Sequence, residues 1–264
     1  MQFAKLSSAI LIAVATLCAH VAHADTLDDI QKAKKIRIGI GMDVPPYGMK
    51  DDQLKAIGSD VETAQLIAQN MGVALEIVPA TAANRIPYLQ TNKVDVVIAS
   101  LAVTPERGKV IDFSLPYAAI QAVVAAPKSM VIKNYADLAG KKVVVTRAST
   151  NDAEITKYAK DAQIVRFDDD STSITAILSG QADIFVSSPA LMTVINQKNP
   201  QKNLESKIVI KTFQLSVGLR KNDDRLKQLI NGYIKINLKN GKLNQIYQKY
   251  QGMPLPEEII KAAD

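Results

Sequence analysis

Between residues 36 and 100 the chain alternates short apolar runs with longer mixed stretches. IRIGIG at 36–41, LEIV at 75–78 and VDVVIAS at 94–100 are rich in β-branched residues and carry one charged residue each. That is the form of a strand covered on both faces. Residues 59–71 and 86–89 carry helical patterns between them. The same order recurs downstream: KVVVT at 142–146, a helix over 150–160, QIVRF at 163–167, a helix over 173–179, and ADIFVSS at 182–188. Such a series predicts an α/β fold with mostly parallel sheets flanked by helices. A last strand, QLSVGLRK at 214–221, precedes two helices, the second within NLKNGKLNQIYQKY at 237–250. Helix starts agree: Thr104 stands before Pro105, and Asn134 before YADLAG, whose Gly140 ends the turn.

The repeat is closest between LQTNKVDVVIAS and ILSGQADIFVSS. In each, a helix ends at Asn92 or Gly180, an aspartate (Asp95 or Asp183) opens a buried strand, and a serine (Ser100 or Ser188) closes it. The pattern predicts two lobes on one plan. Ligands of open α/β sheets bind beyond the carboxyl ends of strands, which would set Ser100 and Ser188 across a cleft. Small polar residues also simply end strands well. The late strand is expected to return to the first lobe, giving lobe 1 at 25–118 and 216–264 and lobe 2 at 119–215. Two linkers, near 118–121 and 212–216, would then act as a hinge.

Composition narrows what such a fold is for. Residues 1–24 have Lys5 at the front, an apolar run and a closing Ala22-His23-Ala24, the form of a secretory signal. The apolar run breaks at His20, short of the roughly 20 residues that span a membrane. Export with cleavage after Ala24 is expected, and Leu17 before Cys18 argues against a lipid anchor. Cleavage removes the only cysteine, so 240 of the 264 residues hold together by packing alone. It also removes Lys5, lowering the net charge from +6 to +5. That charge is spread along the chain, so no nucleic-acid partner is expected. The lack of tryptophan argues against a stacking surface.

One residue runs against local preference. In SLAVTPERGKVIDFS, at 100–114, Arg107 falls in the first turn of a helix, where a cation is disfavoured by a few tenths to about 1 kcal/mol. Free N–H groups at a helix start, joined by a guanidinium, make a site for a small anion. The alternative is a surface pair with Glu106 or Asp112; IDFS itself suits packing and turn chemistry. Both histidines lie in the signal, and there is no Ser-His-Asp set, metal-ligand cluster or phosphate-cradling loop. No cofactor or metal is expected.

RIGIGMDVPPYGMKD, GSDVETAQLIAQNMGV, KVDVVIASLAVTPERGKVIDFSLPYA, LAGKKVVVTRAST, GQADIFVS and LKNGKLNQIYQKY together resemble the periplasmic solute-binding proteins of ABC importers, the polar-amino-acid-binding family 3. The resemblance runs in order over the whole mature chain, and the TPER and IDFSLPY block is its most specific part. It implies a two-lobe periplasmic-binding-protein fold joined by two hinge strands. It implies an extracytoplasmic receptor that captures an amino acid or related small carboxylate and delivers it to an ABC permease and its ATPase, with a monomer expected. In that family the TPER arginine, here Arg107, clasps the ligand α-carboxylate. By position, Asp43 to Tyr47 form a rim loop, in which Tyr47 either covers the ligand or packs beneath it. Arg147, Ser149, Thr150 and Asn151 match the segment of lobe 2 that grips the carboxylate on closure. Ser149 and Thr150 also suit helix capping, and Arg147 either meets a second anionic group or points to solvent.

Three departures from the family pattern bear on the ligand. Ala102 stands where a hydroxyl is common, and Ser59 where an aromatic commonly follows the glycine. Ser188 replaces the aspartate that usually pairs with the ligand ammonium. A desolvated ammonium without a carboxylate is costly. Either Asp43 or Glu62 then supplies the charge, or the ligand is not an ordinary amino acid. Asn84 and Arg85 either add polarity to the cleft or sit solvated at a helix start. The runner-up function is a periplasmic enzyme of the cyclohexadienyl dehydratase type, which resembles the same proteins. It needs a general acid in the cleft, and SSPALM at 187–192 has no acidic residue. A sensor would need a partner, since no signalling domain follows Asp264.

Overall fold

Helix α1 (Thr26–Ala33) leads into β1 (Lys35–Ile40), whose Ile36, Ile38 and Ile40 are fully buried. Burying each such side chain contributes about 1.5–3 kcal/mol. A small hairpin of β2 (Met49–Lys50) and β3 (Ala56–Ile57) then returns the chain to α2 (Ser59–Met71). The turn into α2 requires glycine. Gly58 has φ +133°, and a Cβ there would lie 2.2 Å from the Tyr47 carbonyl oxygen. Val61, Ala64, Ile67 and Ala68 form the buried face of α2. The computed structural model describes residues 26–264, so the expected signal at 1–24 lies outside the described residues.

The first half continues through β4 (Ala74–Pro79), α3 (Arg85–Gln90), β5 (Val96–Val97) and the single turn α4 (Pro105–Gly108). The 16-residue strand β6 (Asp112–Pro127) leaves it. After a 3-10 turn at Tyr135–Leu138, capped by Asn134, come β7 (Lys142–Thr146), α5 (Thr150–Tyr158), β8 (Gln163–Phe167), α6 (Asp170–Leu178), β9 (Ile184–Ser187) and α7 (Pro189–Lys198). A second 16-residue strand, β10 (Leu204–Leu219), runs back to α8 (Asp224–Lys239), α9 (Lys242–Gln251) and α10 (Glu257–Ile260).

The strand order is β4-β1-β5-β10-β6-β9-β7-β8. Read inward from either edge, the two halves match. β1 pairs in parallel with β4 and β5, and β7 with β8 and β9, while β10 and β6 are the antiparallel inner strands. Two α/β lobes of one plan therefore meet along β6 and β10. These pair from Leu204 opposite Pro127 to Leu219 opposite Asp112, with several register shifts. Gln121 faces Thr212 and Ala118 faces Leu215 in the middle of that ladder.

Three elements differ from the sequence expectation. β5 keeps two residues instead of seven, because the chain turns away at Ser100, whose φ is +43°. Helix α6 starts at Asp170 instead of 173, because the Asp169 carboxylate accepts the Thr172 N–H at 2.6 Å. β10 begins ten residues before QLSV; its early part has exposed positions scattered among half-buried ones and takes its conformation from pairing with β6. The two aspartates of the repeat also part company. Asp95 is buried and accepts from the Arg37 backbone N–H at 2.8 Å and its guanidinium at 2.5 Å, whereas the Asp183 side chain is exposed.

Candidate ligand-binding cleft

Ser100 is held in its left-handed conformation by Asp60, near the start of α2. The Ser100 N–H donates to Asp60 Oδ2 at 2.5 Å, and the Tyr117 hydroxyl donates to Asp60 Oδ1 at 2.8 Å. Burial pushes the Asp60 carboxyl up to about 6, against these two hydrogen bonds and the Arg85 charge. Asp60 thus ties the end of β5 to the β6 strand that leaves the lobe.

Arg107 sits where TPER predicts, although the helix contributes less than expected. α4 is a single turn; Pro105 has no N–H, and the Arg107 N–H donates to its cap, Thr104 Oγ1, at 3.2 Å. The guanidinium donates to the Ala102 carbonyl at 2.8 Å and, in the other lobe, to the Ala148 carbonyl at 3.4 Å. Arg107 is thus not paired with Glu106 or Asp112; Asp112 pairs with Lys221. Burial, and then the neighbouring Arg85 charge, lower the Arg107 guanidinium to about 9, still cationic at neutral pH.

From lobe 2, Ser149 caps α5 by accepting the Asp152 N–H at 3.0 Å, and donates to the Thr146 carbonyl at 2.6 Å. Ser188 is buried and caps α7 through the Leu191 N–H at 3.3 Å. Tyr47 is also buried, with its hydroxyl in hydrogen-bonding reach of Ser188; burial raises its pKa. Asp43 accepts the Asp170 N–H at 2.9 Å. Three contacts therefore join the lobes across the cleft, through Arg107, Asp43 and Tyr47.

Between them lies a cavity of about 40 Å³. Of the residues expected in the site, Ser100, Ser149, Thr150, Asn151 and Ser188 line it. Asp43, Tyr47, Ala102 and Arg107 stand behind or beside that lining. Arg147 turns away to an exposed pair with Asp168 at 2.9 Å. Glu62, considered as a source of charge, is directed to Lys249 and to the Tyr250 hydroxyl at 2.7 Å.

Two charged residues, Arg85 and Asp170, also line the cavity. Arg85 is only 5% exposed, donates to the Ala99 carbonyl at 2.6 Å and has no hydrogen-bond partner for its Nε. Burial lowers its pKa, while Asp170 and Asp60 oppose the shift. Asp170, at the first position of α6, is half-buried and faces the cavity. Burial pushes it up to about 7; Thr146 and Arg85 lower it and Asp43 raises it. Its position follows from the early start of α6, a boundary that hydrophobic spacing misplaces. Among the described residues no group of acids, cysteines and histidines could hold a metal ion.

Two α/β lobes closing on a polar cleft with cationic and anionic groups define a solute-binding protein. The chain belongs to the bacterial extracellular solute-binding proteins, family 3, whose family model matches residues 36–253. The ABC transporter glutamine-binding protein GlnH of Bacillus subtilis (strain 168) is 28% identical over 231 residues, covering 86% of this chain and 84% of that protein. The L-cystine-binding protein TcyJ of Escherichia coli (strain K12) is 28% identical over 229 residues, 86% of each chain. Among solved structures, a mutant of ArgBP from T. maritima superposes with a TM-score of 0.80 at 33% identity, covering 86% of this chain and 100% of that one. The family and these relatives are binding proteins, which favours a receptor over a dehydratase.

Proposed function

We propose that this protein is the extracytoplasmic receptor of an ABC importer, capturing an amino acid or related small carboxylate and presenting it to a permease and its ATPase. The observation that carries this is the interlobe cleft, where Arg85 and Ser100 face Ser149, Thr150 and Asn151 with Arg107 bridging the lobes. Arg107 is assigned the ligand carboxylate. Its 3.4 Å contact to Ala148 is long for a hydrogen bond, and a carboxylate offering two acceptors displaces it readily. The unpartnered Nε of Arg85 supplies a further donor. Ala102 contributes only the carbonyl that steadies Arg107, and Asp43 and Tyr47 act as closing contacts.

The lobes of this receptor are 25–118 with 216–264, and 119–215. They bend where Ala118 to Gln121 pair with Thr212 to Leu215, the part of β6 and β10 between the two half-sheets. Periplasmic export with cleavage after Ala24, and action as a monomer, belong to the same proposal. The names of relatives favour the amino-acid class: glutamine for GlnH, cystine for TcyJ, and an arginine-bound structure for ArgBP. Purification without denaturation, followed by mass spectrometry of the released small molecule, tests it. An amino acid or small carboxylate is expected; a ligand lacking any carboxylate would contradict the proposal.

A further inference from the structure

Most carboxylates around the cleft are committed to the protein itself. Asp60 receives Ser100 and Tyr117, and Asp43 receives the first N–H of α6. Asp170 differs. Its Oδ1 accepts from Thr146 Oγ1 at 2.8 Å, and among the described residues its Oδ2 accepts no hydrogen bond. It faces the same cavity as Arg85, whose Nε is unpartnered, and no ion pair joins the two. The cavity therefore has a free donor on lobe 1 and a free acceptor on lobe 2. Ser188 does not compete for the acceptor role, because it is uncharged and its hydroxyl already accepts the Leu191 N–H.

We infer that Asp170 recognises the ammonium group of the ligand, with its free oxygen accepting from the cation as the lobes close. This rests on the amino-acid receptor function proposed above and adds the contact for the positive end. It makes the cleft bipolar, with Arg107 and Arg85 toward the carboxylate and Asp170 toward the ammonium. An ammonium taken from water needs such a partner, since leaving it uncompensated costs several kcal/mol. The N-terminus of the nine-residue α6 favours the ionised carboxylate.

The charged groups facing Asp170 are Asp43 from the rim loop, Asp169 before α6 and Arg85 from α3, with Thr146 from β7 as hydrogen-bond donor. With burial they leave the carboxyl near 7, so an arriving cation stabilises its ionised form. Recognition of the ammonium then weakens as Asp170 takes up a proton. Asp60 titrates nearby, but both its oxygens are occupied by Ser100 and Tyr117, so it acts alike on ligands with and without an ammonium.

The test is calorimetric titration of the purified protein with the standard L-amino acids and L-cystine, and with the α-hydroxy-acid analogue of each one that binds. Asp170→Asn is expected to weaken the amino acid by about 30-fold or more and the hydroxy acid by less than about threefold. In the unmodified protein the preference for the amino acid should shrink by about tenfold between pH 8 and pH 6, following the ionised fraction of a group near 7. That second measurement decides the matter if the variant does not fold. A variant that keeps the preference, or a preference constant with pH, overturns the Asp170 assignment while leaving the receptor function standing. Binding of only carboxylates without an amine overturns the amino-acid function and the assignment with it.

Discussion

Replacing Tyr117 by Phe removes one hydroxyl from a site with no solvent to compensate. Asp60 is 1% and Tyr117 is 2% exposed, and the lost hydrogen bond, 2.8 Å long, goes to a carboxylate. A hydrogen bond to a charged group contributes about 1.5–3 kcal/mol, against about 0.5–1.5 for a neutral one. For a chain of this size each kcal/mol moves the melting temperature by about 2–4 °C, so at pH 8 the variant should melt about 3–12 °C lower. Asp60 titrates near 6, so by pH 5 it is mostly protonated in the native protein and the bond becomes a neutral one. The loss should then fall to roughly half. Calorimetric melting of both proteins at the two pH values measures this. A loss equal at both, or larger at pH 5, would refute a buried, ionisable Asp60 as the anchor of Ser100.

The other expectations concern folding and the cleft rim. Gly58→Ala places a Cβ 2.2 Å from the Tyr47 carbonyl at φ +133°, and should cost about 3 kcal/mol or more; a melting temperature within about 2 °C of the parent would count against the tight turn into α2. Arg147→Ala breaks an exposed pair, so stability should change by less than about 1 kcal/mol and ligand affinity by less than about twofold; a large affinity loss would return Arg147 to the site. Stability should fall as pH rises from 5 to 7. Asp60 and Asp170 have folded values of about 6 and about 7, above their unfolded 3.8, so the stability they contribute below 3.8 is lost as pH climbs through those values. For Asp60 alone, the part of the loss falling between pH 5 and its value near 6 corresponds to about 1.4 kcal/mol at 1.36 kcal/mol per pH unit. The described residues contain no histidine to titrate in that window, so a melting temperature that rises across it would contradict the two buried carboxylates.

The lobes were legible because inner strands buried on both faces leave apolar runs such as KVVVT, and even the half-buried edge strand QIVRF keeps three apolar residues of five. The repeat around Asn92 and Gly180 was equally legible, and both residues adopt positive φ at the ends of their helices. The charges of the cleft were less so. Arg107 could be placed from TPER alone, but the burial of Arg85 beneath Ala99 depends on how α3 meets the end of β5. Asp170 was hidden among three consecutive aspartates. Only the capping hydrogen bond of Asp169 selects which of them begins α6 and which faces the cavity. Glu62 illustrates the opposite limit: it lies two residues from Asp60 in α2, yet the helix turns it to Lys249 on the outer surface.

The central claim is that a small carboxylate is captured between the lobes by fixed cations. Its most direct test is calorimetric titration with each amino acid that binds and with its methyl ester, which keeps the ammonium and side chain but loses the negative charge. The ester should bind at least about 30-fold more weakly, the scale of stranding a buried charge partner. An ester that binds as tightly as the free acid would contradict the assignment of Arg107 and Arg85.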